Sequence, residues 1–155
     1  MKNRKKSTFV FEGFGVPIKL INVPMKKIFG EWCIDINMNK LMEVTLGALI
    51  HKPIALTGDE LRFIRSYLDM TTTEFGKLFC VSHVAVLKWE KEETKVSPPL
   101  ELCMRLYVLD HLKAKDKEFR ALYKELRLDQ FSKNQKRGTY QIAVNAESED
   151  LKIAL

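Results

Sequence analysis

Three hydroxyl groups and two lysines that can contact an anion lie within residues 71–95 of this 155-residue chain. The hydroxyl groups of Thr71, Thr72 and Ser82 stand where helices are expected to begin, and the free N–H groups of a helix start favour phosphate. Lys91 and Lys95 follow the last of these helices and add positive charge. Each hydroxyl can instead simply cap its helix, and one residue can do both. The pattern indicates phosphate contact, with plain capping as the alternative.

Residues that could carry catalysis or bind a metal are scattered. The three His residues are dispersed, no Ser-His-Asp or Cys-His order stands out, and no glycine-rich phosphate loop is present. Cys33, Cys80 and Cys103 are an odd number without paired spacing, which is typical of a reducing cytosol rather than of a disulfide framework or zinc site. We therefore expect no enzyme activity, no metal, no cofactor and a cytoplasmic location.

Three helix-start signatures define the elements that must position the anion-contacting residues. Thr57 with Glu60, and Thr71 with Glu74, have the capping-box spacing, and Ser82 is a good N-cap for a third helix. Apolar residues recur at helical spacing after each start. Only two residues separate the second helix from the cap of the third. These helices must cross steeply, as in a helix-turn-helix.

Residues 70–90 are similar to the XRE (Cro/phage-repressor-like) family of DNA-binding domains. They read Met-Thr-Thr-Thr-Glu-Phe-Gly-Lys-Leu-Phe-Cys-Val-Ser-His-Val-Ala-Val-Leu-Lys-Trp-Glu. The resemblance covers residues 56–112 and implies a lambda-repressor-like helix-turn-helix. Such a domain binds double-stranded DNA through the major groove, and a homodimer matches two half-sites about one helical turn apart.

The resemblance implies that the first turns of the third helix contact base edges. Lys88 can reach guanine N7 and O6 or a phosphate, and His83 can donate to a base or a phosphate. Val84 and Ala85 are small and apolar and suit a thymine methyl group, or alternatively a protein partner. Residues 58–112 hold 7 Lys or Arg against 9 Asp or Glu. A second hypothesis is therefore a protein-interaction module with degenerate DNA binding.

Further structural roles are expected around the third helix. The resemblance implies a partly buried salt bridge between Arg65 and Glu90, which would join the first helix to the end of the third. Trp89 continues the inward stripe of Val86 and is expected in the core. Glu92 stands where the family usually has glycine, at a position that favours left-handed backbone.

A narrower resemblance, to MqsA-type antitoxin regulators, covers residues 13–56. It rests on Gly13, Asn22-Val23-Pro24, Gly30-Glu31 and the step from Lys52-Pro53 to Leu56-Thr57. That family often carries Cys-x-x-Cys-Gly-Glu, half of a zinc knuckle, where this chain has Lys-Lys-Ile-Phe-Gly-Glu at 26–31. The resemblance implies a metal-free transcriptional repressor or antitoxin, with residues 1–56 contacting a toxin or another partner.

Outside the middle of the chain, periodicity predicts strands on both sides. Three segments rich in β-branched and aromatic residues predict a small antiparallel sheet: 8–12, 16–22 and 25–36. Asn37 or Asn39 can cap a helix that runs to Ile50. Ser97-Pro98-Pro99 is a strong helix start. Alternation in 140–144 and 151–155 predicts a terminal hairpin or a strand added to another sheet.

We therefore expect an α+β chain in three parts. Residues 1–56 form a β-rich subdomain with one helix. Residues 57–128 form a helix-turn-helix domain of about five helices, and residues 129–155 form a basic linker and a strand-like tail. No segment approaches about 18 uninterrupted apolar residues, so no membrane span is expected, and no signal peptide is visible. Helix 98–112, helix 116–128 and the tail are candidate dimer surfaces.

Overall fold

The computed structural model describes residues 4–113, 115–125, 140–147 and 151–154. Within them the chain is α+β, with six helices and a five-stranded mixed sheet. It folds as two compact units, a sheet unit of residues 1–48 and 140–155 and a helical unit of residues 49–139. The basic linker predicted at the start of residues 129–155 lies outside the described residues, as does the end of the helix predicted to reach residue 128.

The sheet unit is built around one long central strand. Its elements are β1 (Arg4–Phe11), β2 (Ile18–Ile28), β3 (Glu31–Ile34), most of α1 (Met38–Ile50), β4 (Ile142–Asn145) and β5 (Lys152–Ile153). One edge of β2 pairs antiparallel with β1. The other edge of β2 pairs parallel with β4 at residues 18–21. The same edge pairs antiparallel with β3 at residues 25–28. The buried apolar residues come mainly from β2, α1 and β4.

The C-terminal strands meet both expectations for the tail. β4 and β5 pair antiparallel as a hairpin, and β4 also joins the N-terminal sheet. The three N-terminal strands pair antiparallel, as predicted. The complete sheet is mixed, because β4 of the tail runs parallel to β2. In the sheet unit, β4 and β5 belong with β2.

Strand β2 differs from its sequence prediction. It was expected to end at Asn22, but it continues through Pro24 to Ile28. Asn22 has a φ of 56°, and the buried positions change there from even to odd numbers. Pro24 lacks an N–H, yet its carbonyl accepts a hydrogen bond from the Asp35 N–H at 2.9 Å. The chain reverses only after Ile28.

The helical unit contains the five helices that the sequence predicts. They are α2 (Gly58–Tyr67), α3 (Thr72–Leu78), α4 (His83–Glu90), α5 (Pro98–His111) and α6 (Asp116–Glu125). Both predicted capping boxes are confirmed, at Thr57 with Glu60 and at Thr71 with Glu74. Of the two candidate caps for α1, Asn37 is the one whose side chain accepts the Lys40 N–H, at 3.1 Å. Local polar chemistry therefore sets these helix starts.

A buried arginine on α5 holds the segment that joins α1 to α2. Arg105 is fully buried, and its Nη1 donates to the carbonyls of Ile50 at 2.9 Å and Lys52 at 2.6 Å. Its Nη2 donates to the Ile54 carbonyl at 2.9 Å. Nη2 and Nε both donate to Glu101 Oε1, at 2.6 and 3.2 Å. One planar guanidinium thus fixes the course of an irregular segment.

A second buried ion pair fixes the start of α2. Lys52 Nζ donates to both carboxylate oxygens of Glu60, at 2.9 and 2.7 Å. The Glu60 Oε2 atom also accepts the Thr57 N–H at 2.8 Å, so the capping carboxylate and the ion pair are one group. The Leu56 N–H donates to Glu101 Oε1 at 3.0 Å. Residues 52–57 are therefore anchored at several points.

Replacing Arg105 should destabilise the protein strongly. Arg105→Lys keeps the positive charge but cannot reproduce the fork that reaches three carbonyls and Glu101. We expect a loss of about 3–5 kcal/mol in the free energy of unfolding, measured by urea denaturation. Arg120→Lys, on an exposed position of α6, is the matched control and should change stability by less than about 0.5 kcal/mol. Equal urea midpoints for the two variants would contradict this role.

Candidate nucleic-acid interface

The residues that connect α3 to α4, 79–82, pack closely against α3. The Val81 N–H donates to the Gly76 carbonyl at 2.9 Å. A Cβ at Gly76 would lie 2.7 Å from the Val81 carbonyl oxygen, which is closer than real side chains approach. Cys80 turns the chain with a φ of 57°, a left-handed conformation that costs a non-glycine residue energy. Glycine on α3 is therefore required for α4 to start where it does.

The end of α4 lies equally close to the start of α2. A Cβ at Gly58 would collide with the carbonyl of Glu90. The Gly58 N–H donates to Glu92 Oε1 at 3.2 Å. Glu92 has a φ of 58°, so the left-handed backbone expected at this position is confirmed even without glycine. Both ends of α4 are thus held by backbone contacts that leave no room for side chains.

The predicted ion pair between Arg65 and Glu90 is confirmed. Arg65 Nε donates to Glu90 Oε1 at 2.6 Å, and Nη2 donates to Oε2 at 3.1 Å. The Glu90 side chain is only 4% exposed and that of Arg65 is 16% exposed. Arg62, which is half exposed, adds a longer contact of 3.4 Å to Glu90 Oε2. A two-point charged contact therefore joins α2 to the last turn of α4.

The inward side of the helices is apolar and aromatic. Trp89 and Val86 are buried, which confirms the core position predicted for Trp89. The rings of Phe75 and Phe79 meet edge to face at 4.9 Å, and Phe79 meets Tyr107 of α5 at 6.0 Å. These contacts tie α3 to α5. The packing of α3, α4 and α5 therefore leaves the opposite side of α4 facing solvent.

The outward side of α4 carries the residues predicted to contact base edges. His83, Val84 and Lys88 are exposed, and Val84 lies one helical turn before Lys88. Ala85 is half-buried, at the margin of this face. The other candidates divide in the same way: Ser82, Lys91, Lys95 and Thr71 are exposed, whereas Thr72 is half-buried. The structure brings His83, Val84 and Lys88 together on one helix face.

Leu87 belongs to this face and was missed in the sequence analysis. It is 39% exposed and lies three residues after Val84, which is 46% exposed, so the two side chains are neighbours on α4. Helical spacing from His83 and Val84 could have identified it. Leu78 on α3 is exposed as well. The face is therefore a mixture of two apolar side chains, an imidazole and an ammonium group.

The start of α3 already holds a carboxylate. The N–H and the hydroxyl of Thr71 both donate to Glu74 Oε2, at 2.7 and 2.8 Å. The Thr71 N–H, then the Thr71 hydroxyl and then the charge of Lys77 hold the pKa of Glu74 below its ordinary value. At α4, by contrast, Ser82 Oγ accepts the Ala85 N–H at 3.1 Å, and alanine stands where α3 has its glutamate. The start of α4 therefore lacks the carboxylate that occupies the donors at the start of α3.

Among the described residues, no group of three or more His, Cys, Asp or Glu could hold a metal ion. In the same part of the chain, no helix has the length and apolar character to cross a membrane.

Comparisons with protein-family models, with curated proteins and with solved structures each give no match to this chain.

Neutralising Glu90 should weaken the helical scaffold. Glu90→Gln keeps the shape of the side chain but leaves the charge of Arg65 without its counter-ion in a largely buried place. We expect a loss of about 3 kcal/mol in unfolding free energy and a clearly lower melting temperature. Glu93→Gln makes the same chemical change at an exposed residue nearby and should leave the melting temperature unchanged. If Glu90→Gln melts with the wild type, the pair is not structural.

The Glu74 carboxyl should titrate below its ordinary pKa of 4.5. Because the folded-state pKa is lowered, its stabilisation is present above pH 4.5 and is lost as pH falls through the lowered value. Carbon-detected NMR of the carboxyl should show this midpoint. Thr71→Val removes the hydroxyl but keeps the N–H, so it should raise the Glu74 pKa only part of the way. A wild-type midpoint at or above 4.5 would contradict the contact.

Proposed function

We propose that this protein is a sequence-specific DNA-binding regulator of transcription that inserts α4 into the major groove. One observation carries the proposal. His83, Val84 and Lys88 share the exposed face of a helix whose two ends are held by the close approach of Gly58 and Gly76. Helices α3 and α4 then act as a helix-turn-helix, with α4 as the recognition helix. The major groove, about 12 Å wide, admits one α-helix.

Base contacts in this proposal come from both polar and apolar groups of α4. The Lys88 ammonium reaches guanine N7 and O6, and His83 donates to a base or to a phosphate at the groove edge. Val84 and the neighbouring Leu87 pack against thymine methyl groups. Ala85 lies at the margin and contributes its small size rather than a large contact.

Phosphate contacts come from the segments beside the recognition helix. Ser82 stands at the start of α4, and Lys91 and Lys95 are exposed after its end. Thr72 lies in the first turn of α3 and adds a half-buried hydroxyl. The N–H and the hydroxyl of Thr71 both donate to the Glu74 carboxylate. Thr71 can therefore contact a phosphate only if its hydroxyl leaves Glu74.

The proposed biological role is that of a repressor that binds its operator as a homodimer. Two recognition helices related by two-fold symmetry would contact half-sites about one helical turn apart. The sequence resemblance to MqsA-type regulators favours an antitoxin. In that case the sheet unit is the surface that contacts a toxin protein.

A second function is favoured by the apolar part of the same face. Val84 and Leu87 are exposed neighbours on α4, and exposed apolar groups that lie close together often mark a protein-binding surface. In this alternative, α4 binds a protein partner and DNA binding is degenerate. The two functions differ in how binding depends on salt and on Lys88.

Lys88→Ala should weaken binding to a selected operator by about 1–3 kcal/mol and relax base preference. The operator is first selected from a random duplex library with the purified protein. Affinities are then measured by gel shift over a series of salt concentrations, because phosphate contacts make binding fall steeply with salt. Lys91→Ala should instead reduce the salt slope by about one and leave base preference intact.

Lys115→Ala is the control, since it removes an exposed lysine from the segment between α5 and α6. It should leave both affinity and base preference at the wild-type level. No shift with any duplex at low salt, together with no effect of Lys88→Ala, would overturn DNA binding. Retained capture of a protein partner that depends on Val84 and Leu87 would then support the alternative.

A further inference from the structure

The hairpin between β2 and β3 ends in an unusual tip. Ile28 pairs with Glu31, so only Phe29 and Gly30 form the turn. Both residues have positive φ angles, 48° and 89°. Two-residue hairpin turns of this kind favour Asn or Asp followed by Gly. Here the first position is a phenylalanine that is 103% exposed.

Phe29 is unfavourable in two ways at once. A bulky residue in left-handed backbone is strained, and an aromatic ring in water has lost the benefit of burial. Asparagine at the same place would relieve both costs and keep the turn. Strain and apolar exposure that coincide at one residue are typical of positions that contact another molecule.

The surroundings of Phe29 indicate what that molecule is. Ile28 and Trp32 are also exposed, so the tip is mainly apolar, with Glu31 exposed beside them. Lys26 and Lys27 are exposed just before it. Successive side chains of a strand point to opposite faces, so one lysine lies on each face of the hairpin. Trp32 is directly opposite Lys27 and shares its face.

An apolar tip with a lysine on each face fits DNA better than it fits a protein. Lysine is depleted in protein–protein interfaces, whereas a DNA groove has a phosphate backbone on both sides. Apolar side chains such as phenylalanine can be wedged between base steps and bend the duplex. Because the two lysines outnumber Glu31, the hairpin keeps a positive charge and complements a groove in both shape and charge.

We propose that the β2–β3 hairpin is a second DNA contact, in which Phe29 is wedged at a base step while Lys26 and Lys27 contact phosphates on either side. The inference rests on the proposed DNA-binding function and adds a bending element outside α4. It concerns Phe29, Trp32 and the two lysines, none of which belongs to the recognition helix.

Two tryptophans allow the hairpin and α4 to be observed separately. The chain contains 2 tryptophans, Trp32 on the hairpin and Trp89 in α4. Fluorotryptophan labelling gives each its own fluorine NMR resonance, and Trp32→Phe assigns them. We expect operator DNA to shift the Trp32 resonance. In Lys88→Ala protein, a non-operator duplex at low salt should still shift it.

Phe29→Asn gives the sharpest test because its two effects have opposite signs. It should raise the melting temperature by a few degrees, since asparagine suits the turn. It should also lower operator affinity about tenfold and reduce the DNA bend measured by energy transfer between end labels. Val10→Ala, at an exposed apolar residue of β1, should change neither affinity nor bend.

The outcomes separate the hairpin from the recognition helix. Operator binding that shifts Trp89 but not Trp32, with wild-type affinity and bend in Phe29→Asn, would overturn the hairpin proposal and leave the function of α4 intact. No duplex binding at all would overturn both. A Trp32 resonance shifted by vesicles of phosphatidylcholine and phosphatidylglycerol, but not by DNA, would assign the tip to an anionic membrane surface and reject DNA.

Discussion

The guanidinium of Arg105 organises the helical unit from its interior. Its side chain is fully buried and donates to the carbonyls of three alternate residues, Ile50, Lys52 and Ile54, at the end of α1 and in the segment after it. It also donates to the Glu101 carboxylate. A buried charge of this kind is tolerated only when its donors are satisfied, so the segment has little freedom to move. That segment leads directly into the Thr57 cap of α2. The position of α2 in turn decides where Gly58 and Arg65 meet the last turn of α4.

Charge and close packing therefore act at different levels of the same scaffold. The buried pairs of Lys52 with Glu60 and of Arg105 with Glu101 set the entry into α2. The two glycine contacts and the Arg65–Glu90 pair then fix α4. The solvent-facing side chains of α4 take no part in these contacts, so their identity can vary without disturbing the scaffold. This arrangement explains how a domain with a net acidic balance can still present a lysine, a histidine and apolar groups together.

Helix starts can be predicted from the sequence because their contacts are local, whereas contacts between distant residues cannot. Thr57, Thr71 and Ser82 each cap a helix by accepting the N–H of the residue three positions later, and the sequence predicts all three caps. The partner of Arg105 is partly backbone more than fifty residues away, and no periodicity records it. The same holds for the parallel pairing of β2 with β4. At the candidate site, the sequence predicts Lys88 and His83 but not Leu87, because a leucine in a helix is ordinarily assigned to the core.

The pairing of β2 with β4 has a consequence for how the chain is synthesised. Ile18 and Leu20 lie opposite Ile142 and Val144, so the sheet needs residues made more than a hundred positions later. The whole helical unit leaves the ribosome in between and can form from its own contacts first. Until β4 arrives, the first half of β2 has an open edge beside apolar side chains, where a strand from another nascent chain can add. Slow translation would lengthen this vulnerable interval, and a chaperone that covers the edge would shorten it.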